Sequence, residues 1–202
     1  MTVPGRVEAA ELLLSLDPPA WFLGHARAVA EVAAWLALRT ASATPARPVD
    51  RRLVEAAALL HDADKLLPAG DPGRALPHGE GSAAWLALRG HAELGPAVAA
   101  HPVTRLIDGE RHRAWTAGAS TEERIVAYAD KRAGQRLEAM AARFASWQRR
   151  YPGGWSSSEA AAVRRRADEL ESDVCRAAGV APTQVRRLRW TGAAIRRARG
   201  RA

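Results

Sequence analysis

The chain has 202 residues, 48% of them apolar and 26% charged, so it can bury a sizeable core and is not a wholly disordered polymer. Its single cysteine, Cys175, excludes a disulfide framework and a cysteine-built zinc site. The formal charge of +8 is placed unevenly: residues 181–202 hold seven arginines and no acid, while the rest holds 23 basic against 22 acidic residues, so a nearly neutral body precedes a basic tail.

No apolar run reaches the roughly 18 residues that a membrane helix needs. The first residues carry Glu8 and Glu11 and have no apolar signal segment, so the expected location is cytoplasmic. Arginine outnumbers lysine 28 to two, a bias of the kind a GC-rich coding genome produces. Both lysines, Lys65 and Lys131, directly follow an aspartate.

Apolar periodicity is helical almost throughout. Val7, Leu12, Leu13 and Leu16 mark a first helix, stopped by Asp17-Pro18-Pro19. Trp21, His25, Ala28, Val29, Val32 and Leu36 form one face of a second, and residues 40–49 read as a loop. Asp50 is a fitting N-cap for a third, with Leu53, Val54, Ala57, Leu60 and His61 on its apolar side. Prolines and glycines make residues 66–77 a long loop, a common setting for functional groups. Short helices are expected near 79–89 and 92–100, and irregular chain over 101–119. Ser120 and Glu123 form a capping box for a long helix carrying Ile125, Ala129, Ala133, Leu137, Met140, Phe144 and Trp147, ended by Pro152-Gly153-Gly154. A second box, Ser156 and Glu159, opens a helix through Val163, Leu170 and Val174. With no hairpin pattern and no repeat, the class is all-α.

The six histidines are the chemically informative residues. His61-Asp62 ends the apolar helix AAALLHDADK. An ionisable pair at the edge of a core stripe costs several kcal/mol unless it is paired or metal-bound. His25 lies on the apolar face of its own helix, and Asp130 ends IVAYAD on the core side of another. Each alone reads most simply as a hydrogen-bonded core residue. Together they could converge from three helices into a mixed nitrogen and oxygen site suited to Fe, Mn, Co, Ni, Zn or Mg.

This ordered series, His25, His61-Asp62 and Asp130, resembles the HD superfamily of metal-dependent phosphohydrolases. HARAVAEVAAWLA and VDRRLVEAAALLHDADK resemble its first two motif helices, and IVAYADKR its closing aspartate helix. HGEGSAAWL at His78 and AVAAHPV at His101 resemble the two extra histidines of dinuclear members. The match spans about residues 20–150. The layout is similar to the bacterial HD-type symmetrical diadenosine tetraphosphate hydrolases. It is equally similar to uncharacterised HD-domain hydrolases with YADKR followed by Arg143-Phe144 and Arg150-Tyr151-Pro152. It departs from the former at Pro102-Val103-Thr104 and after Lys131, which leaves the substrate open.

The resemblance implies an all-α HD-domain bundle of about seven to eight helices. It implies an HD domain over 1–152, a helix at 153–180 packed on it and a basic tail at 181–202. His25, His61, Asp62 and Asp130 would bind one divalent ion, Fe, Mn or similar, and Asp62 would bridge to a second held by His78 and His101. The reaction implied is attack of metal-bound hydroxide on a phosphate ester or anhydride, with Asp62 as the catalytic residue and a nucleotide as the substrate. Lys65, three residues past Asp62, is a candidate phosphate contact, the alternative being a pair with Asp64. Arg136 is a second candidate, and Lys131 reads equally as a structural salt bridge.

Of the remaining residues, His91 is expected at the solvent side or as a cap and His112 in an exposed loop. Trp115 could stack a base, whereas Trp21, Trp35, Trp85 and Trp147 read as core. A second functional reading rests on the tail. There Trp190 lies among Arg186, Arg187, Arg189, Arg196, Arg197, Arg199 and Arg201, a pattern that could bind RNA and stack on a base. A third is a ligand-sensing HD fold without turnover. No membrane partner is expected, and oligomeric state is not legible.

Overall fold

Alanine and leucine faces repeating at helical spacing build ten α-helices among the residues described, 3–45, 48–150 and 153–201 of a computed structural model. They are α1 (Arg6–Leu14), α2 (Ala20–Ala43), α3 (Arg51–Leu60), α4 (Glu80–Ala87), α5 (Gly95–Ala100), α6 (Gly109–Gly118), α7 (Thr121–Arg132), α8 (Met140–Arg150), α9 (Ser157–Ala177) and α10 (Thr191–Arg199). Short 3-10 turns lie between several of them. The extended structure among these residues is one antiparallel bridge, Ala133 with Leu137. The expected all-α class holds, with ten helices among the described residues where about seven to eight were expected.

The predicted caps form. The Asp50 side chain accepts from the Leu53 N–H at 2.9 Å, and Ser120 and Ser156 each accept from the N–H of the glutamate three residues on. Helix α2 is the central strut. Its buried alanines 26, 28, 30, 33, 34 and 37 let α3 and α7 approach closely, and α1, α9 and α10 pack around this trio. Helix α5 packs on α3, and α4 on the 3-10 turn Ala63–Leu66 that follows His61-Asp62.

Several expectations are corrected. Helix α2 runs on to Ala43 rather than ending near residue 39. Residues 109–118, expected irregular, form α6, capped by the Asp108 side chain on the N–H groups of Glu110 and Arg111. The long helix from Ser120 breaks at Ala133 and restarts at Met140. Two contacts impose the break: the Glu138 N–H bonds the Arg132 carbonyl at 2.7 Å, and the Arg132 guanidinium bonds the Glu138 carbonyl at 2.8 Å. Helical spacing across the gap survives, so periodicity alone could not reveal it. Tyr151 and Pro152, part of the resemblance and of the expected helix end, lie outside the described residues.

The basic C-terminal stretch is folded onto the body. Trp190 is buried, its indole N–H reaching the Ala30 carbonyl at 3.4 Å and its ring lying under Arg6. Buried Glu31 bonds Arg187 at 2.8 Å and Thr191, and its carbonyl accepts from the Leu188 N–H. Trp190 is therefore a core residue of the α1–α2–α10 contact and not an aromatic face open to a base. Trp21, expected in the core, is 57% exposed. His112, expected exposed, is buried; His91, expected at the solvent side or as a cap, is buried at the N-cap position of the 3-10 turn Ala92–Leu94.

Candidate metal centre and the cleft above it

Each candidate ligand is placed by a helix end or by a loop pinned to one. His25 projects from α2 and Asp130 from the last turn of α7. His61 and His101 cap the C-termini of α3 and α5. Each turns its Nδ1 back on the carbonyl three residues earlier, Ala58 at 2.9 Å and Val98 at 2.6 Å. The His25 Nδ1 meets the Gly134 carbonyl at 3.0 Å, a group freed by the break after α7. The His78 Nδ1 meets Asp64 at 2.9 Å.

All four imidazoles thus donate from Nδ1, so each Nε2, once it has given up any proton, offers a lone pair to an ion. Those lone pairs converge. The Nε2 atoms of His25 and His61 are 3.2 Å apart, as are those of His78 and His101. At that distance the two nitrogens of a pair share one cation, a proton in the metal-free protein or a metal ion in its place.

The carboxylates complete the pattern. Asp62 Oδ2 lies 3.4 Å from the His25 Nε2 and 3.5 Å from the His61 Nε2. Asp130 Oδ1 lies 3.4 and 3.7 Å from the same two nitrogens. Asp62 Oδ1 lies 3.2 Å from both the His78 and the His101 Nε2. Ligands bonded at about 2.1 Å to one ion stand roughly 3.0–3.4 Å apart, depending on geometry. Two groups could therefore hold an ion, His25-His61-Asp62, with Asp130 beside it, and Asp62-His78-His101. A nitrogen and oxygen donor set without sulfur fits a divalent ion such as Fe or Mn.

Electrostatics agree with this arrangement. Burial would raise Asp62 and Asp130, but the surrounding histidines hold both well below the usual carboxylate range. Burial would lower His25, yet hydrogen bonds to Asp130 and Asp62 raise it to about 9. His78 is raised to about 9 against burial by Asp62 and Asp64. Burial lowers His101 to about 4, so it is neutral at pH 7.

Besides Gly79, three residues support the ligands. Asp64 accepts from His78 and from the Gly79 N–H at 2.7 Å, which locks the loop presenting His78. Gly79 has φ +85°, and a side chain there would meet the Val98 and Ala99 carbonyls, so glycine is required. Lys131 is buried and makes no salt bridge among the described residues. It donates to the His101 carbonyl at 2.7 Å and the Ala127 carbonyl at 3.0 Å, and burial lowers it to about 8. The third is the Gly134 carbonyl behind His25.

Lys65 pairs with Asp62 Oδ2 at 2.7 Å rather than with Asp64. The centre forms the floor of a cleft of about 940 Å³. Its lining also includes Trp21, Arg136, Arg143, Trp147 and Trp155. Trp115 lies elsewhere, beside His112 in a cavity of about 140 Å³, with its N–H on Glu123 at 3.0 Å.

A family model described as HD domain matches residues 22–134, a span that runs from α2 to the turn after α7 and contains all six candidate ligands. The chain belongs to the HD-domain family. No curated protein and no solved structure compared with it gives a significant match. As an HD-domain protein with this His/Asp cluster, the chain is a metal-dependent phosphohydrolase. No helix among the described residues of this HD-domain chain is long and apolar enough to cross a membrane.

Proposed function

We propose that this HD-domain phosphohydrolase cleaves a phosphate ester or anhydride of a small nucleotide, a dinucleoside polyphosphate being the first candidate. One divalent ion, Fe, Mn or similar, is held by His25, His61, Asp62 and Asp130, and a second by Asp62, His78 and His101. The observation that carries this reading is the division of Asp62. Its Oδ2 faces one histidine pair and its Oδ1 the other, and only a carboxylate can serve both. Ions bound there lower the pKa of a coordinated water and polarise a phosphoryl oxygen.

The chain's own residues do the rest. Asp62 is the catalytic carboxylate that sets the spacing between the two halves. Lys65, with its ammonium on Asp62 at the cleft floor, is close enough to neutralise a phosphate oxygen. Arg136 is exposed at the cleft wall and meets phosphate further out. Trp21 and Trp155 supply aromatic faces for a base, which favours a nucleotide over a bare phosphate.

A hydrolysis screen with Mn²⁺ and with anaerobic Fe²⁺ tests the reading. It covers dinucleoside polyphosphates, nucleoside mono- and triphosphates, cyclic nucleotides and an aryl phosphate. Cleavage of one nucleotide well above the rest is expected, and two ADP from diadenosine tetraphosphate would define the cut. Metal-loaded protein inert on all of them would overturn it in favour of ligand sensing.

Metal binding is coupled to protons in a predictable sense. His25 and His78, both raised to about 9, carry a proton at pH 7 in the metal-free protein. His101, lowered to about 4, and the two depressed aspartates have none to lose. Metal uptake therefore displaces the protons of His25 and His78, and affinity rises with pH until about 9. Calorimetry at pH 7 in buffers of different ionisation enthalpy measures the release. No release would place the bound ions elsewhere.

A further inference from the structure

Arg143 is the most anomalous charged group outside the metal centre. It sits on α8, is only 9% exposed and lines the cleft. Its guanidinium stacks on Trp147, 4.7 Å from the ring centroid. Among the described residues no carboxylate lies within 4.0 Å of it, and its buried Nε has no hydrogen-bond partner. This contrasts with Arg132, equally buried, which is satisfied by Glu171, Tyr128 and two carbonyls. Glu138 borders the same spot at Gly134 but does not pair with Arg143 directly; a buried guanidinium without a paired anion is costly, and its fork geometry matches phosphate.

Its position is informative. A Cβ placed on Gly134 would lie 3.5 Å from the Arg143 Nη1, and Gly134 is the residue whose carbonyl holds His25. The charge therefore stands on the wall next to the His25 side of the centre. Apart from the candidate ligands, the cleft lining holds Lys65, Arg136, Arg143 and Arg150 against the single acid Glu138. Stacking on Trp147 occupies a face of the guanidinium and leaves its edge, where the N–H groups lie, for a ligand.

We propose that Arg143, seated on Trp147, is the anion subsite for a second phosphate of the substrate, one that is not the phosphoryl group cleaved at the metal centre. This rests on the phosphohydrolase reading above and narrows it to substrates carrying more than one phosphate. Arg143 binds substrate, whereas Trp147 positions it by holding the guanidinium plane.

The test uses the full chain with two readouts. In chelator-treated, dialysed protein, tripolyphosphate binding is measured by calorimetry for wild type, Arg143→Met and Arg143→Lys. The methionine variant should bind about tenfold more weakly and the lysine variant within about threefold of wild type. In Mn²⁺-loaded protein, Arg143→Met should raise KM for the preferred polyphosphorylated nucleotide about tenfold with kcat little changed. Hydrolysis of an aryl phosphate, with its one phosphoryl group, should lose several-fold less than that of the polyphosphorylated nucleotide. Equal tripolyphosphate binding by folded wild type and Arg143→Met would overturn the subsite. Arg143→Gln provides a second neutral variant if the methionine variant does not fold. Arg143-dependent binding without turnover of any phosphate would leave the subsite standing and remove the phosphohydrolase reading instead.

Discussion

Asp62→Asn should lower phosphohydrolase turnover on the order of a thousandfold while leaving the helical fold intact. The change keeps the volume and removes a charge. An amide offers one oxygen and turns an NH2 toward the other half of the centre. One histidine pair therefore loses its anionic partner and faces a donor instead. Lys65, now 2.7 Å from Asp62, loses its counter-ion as well. The consequence is loss of metal at both groups, read by elemental analysis alongside turnover. Circular dichroism should match wild type, because the side chain is shared between His25, His61, His78, His101 and Lys65 rather than with the apolar core. Metal content and turnover within about tenfold of wild type would show that Asp62 does not join two ions.

Gly81→Ala should cost about 2–3 kcal/mol of stability and selectively empty the His78 side of the centre. A Cβ at Gly81 would stand 2.1 Å from the Gly73 carbonyl oxygen and 3.0 Å from the Asp64 Cβ. The first contact is backbone and cannot rotate away. The loop between Leu67 and Gly79 must shift, and with it Asp64 and His78, whose mutual hydrogen bond fixes the ring. His25, His61 and Asp130 are held by other elements and should stay. Urea denaturation reads the stability, and metal stoichiometry should fall from two ions toward one. Gly70→Ala, with nothing within 4 Å of the new atom, is the control and should change stability by less than about 0.5 kcal/mol. Equal stoichiometry in the two variants would mean that the loop does not hold His78 in place.

Much of the candidate site was legible because ionisable residues stand out on apolar faces. His25 within alanines and His61-Asp62 after AAALL are costly unless they meet something, and all six candidate ligands do converge. Asp64 was hidden by its neighbours, since two aspartates and a lysine within four residues suggest local pairing. Its actual partner, His78, is 14 residues away along a loop without periodicity. Arg143 was hidden by number, because one arginine among 28 carries no signal until its burial and missing partner are seen. Arg136, chosen instead, is exposed at the cleft wall.

The sequence by itself determined the all-α class, the caps at Asp50, Ser120 and Ser156, and the chemistry of the centre. These depend on local backbone bonding and on residue type at helical spacing, both written into short stretches of chain. Tertiary structure alone decided where the helix from Ser120 stops, because the stop is made by Arg132 and Glu138 closing a turn and by Gly134 serving His25. It also decided that Trp190 and the basic C-terminal residues fold onto α2, through a buried glutamate 156 residues from Arg187. Such contacts join positions far apart in the chain, and no local pattern encodes which distant group will satisfy a buried charge.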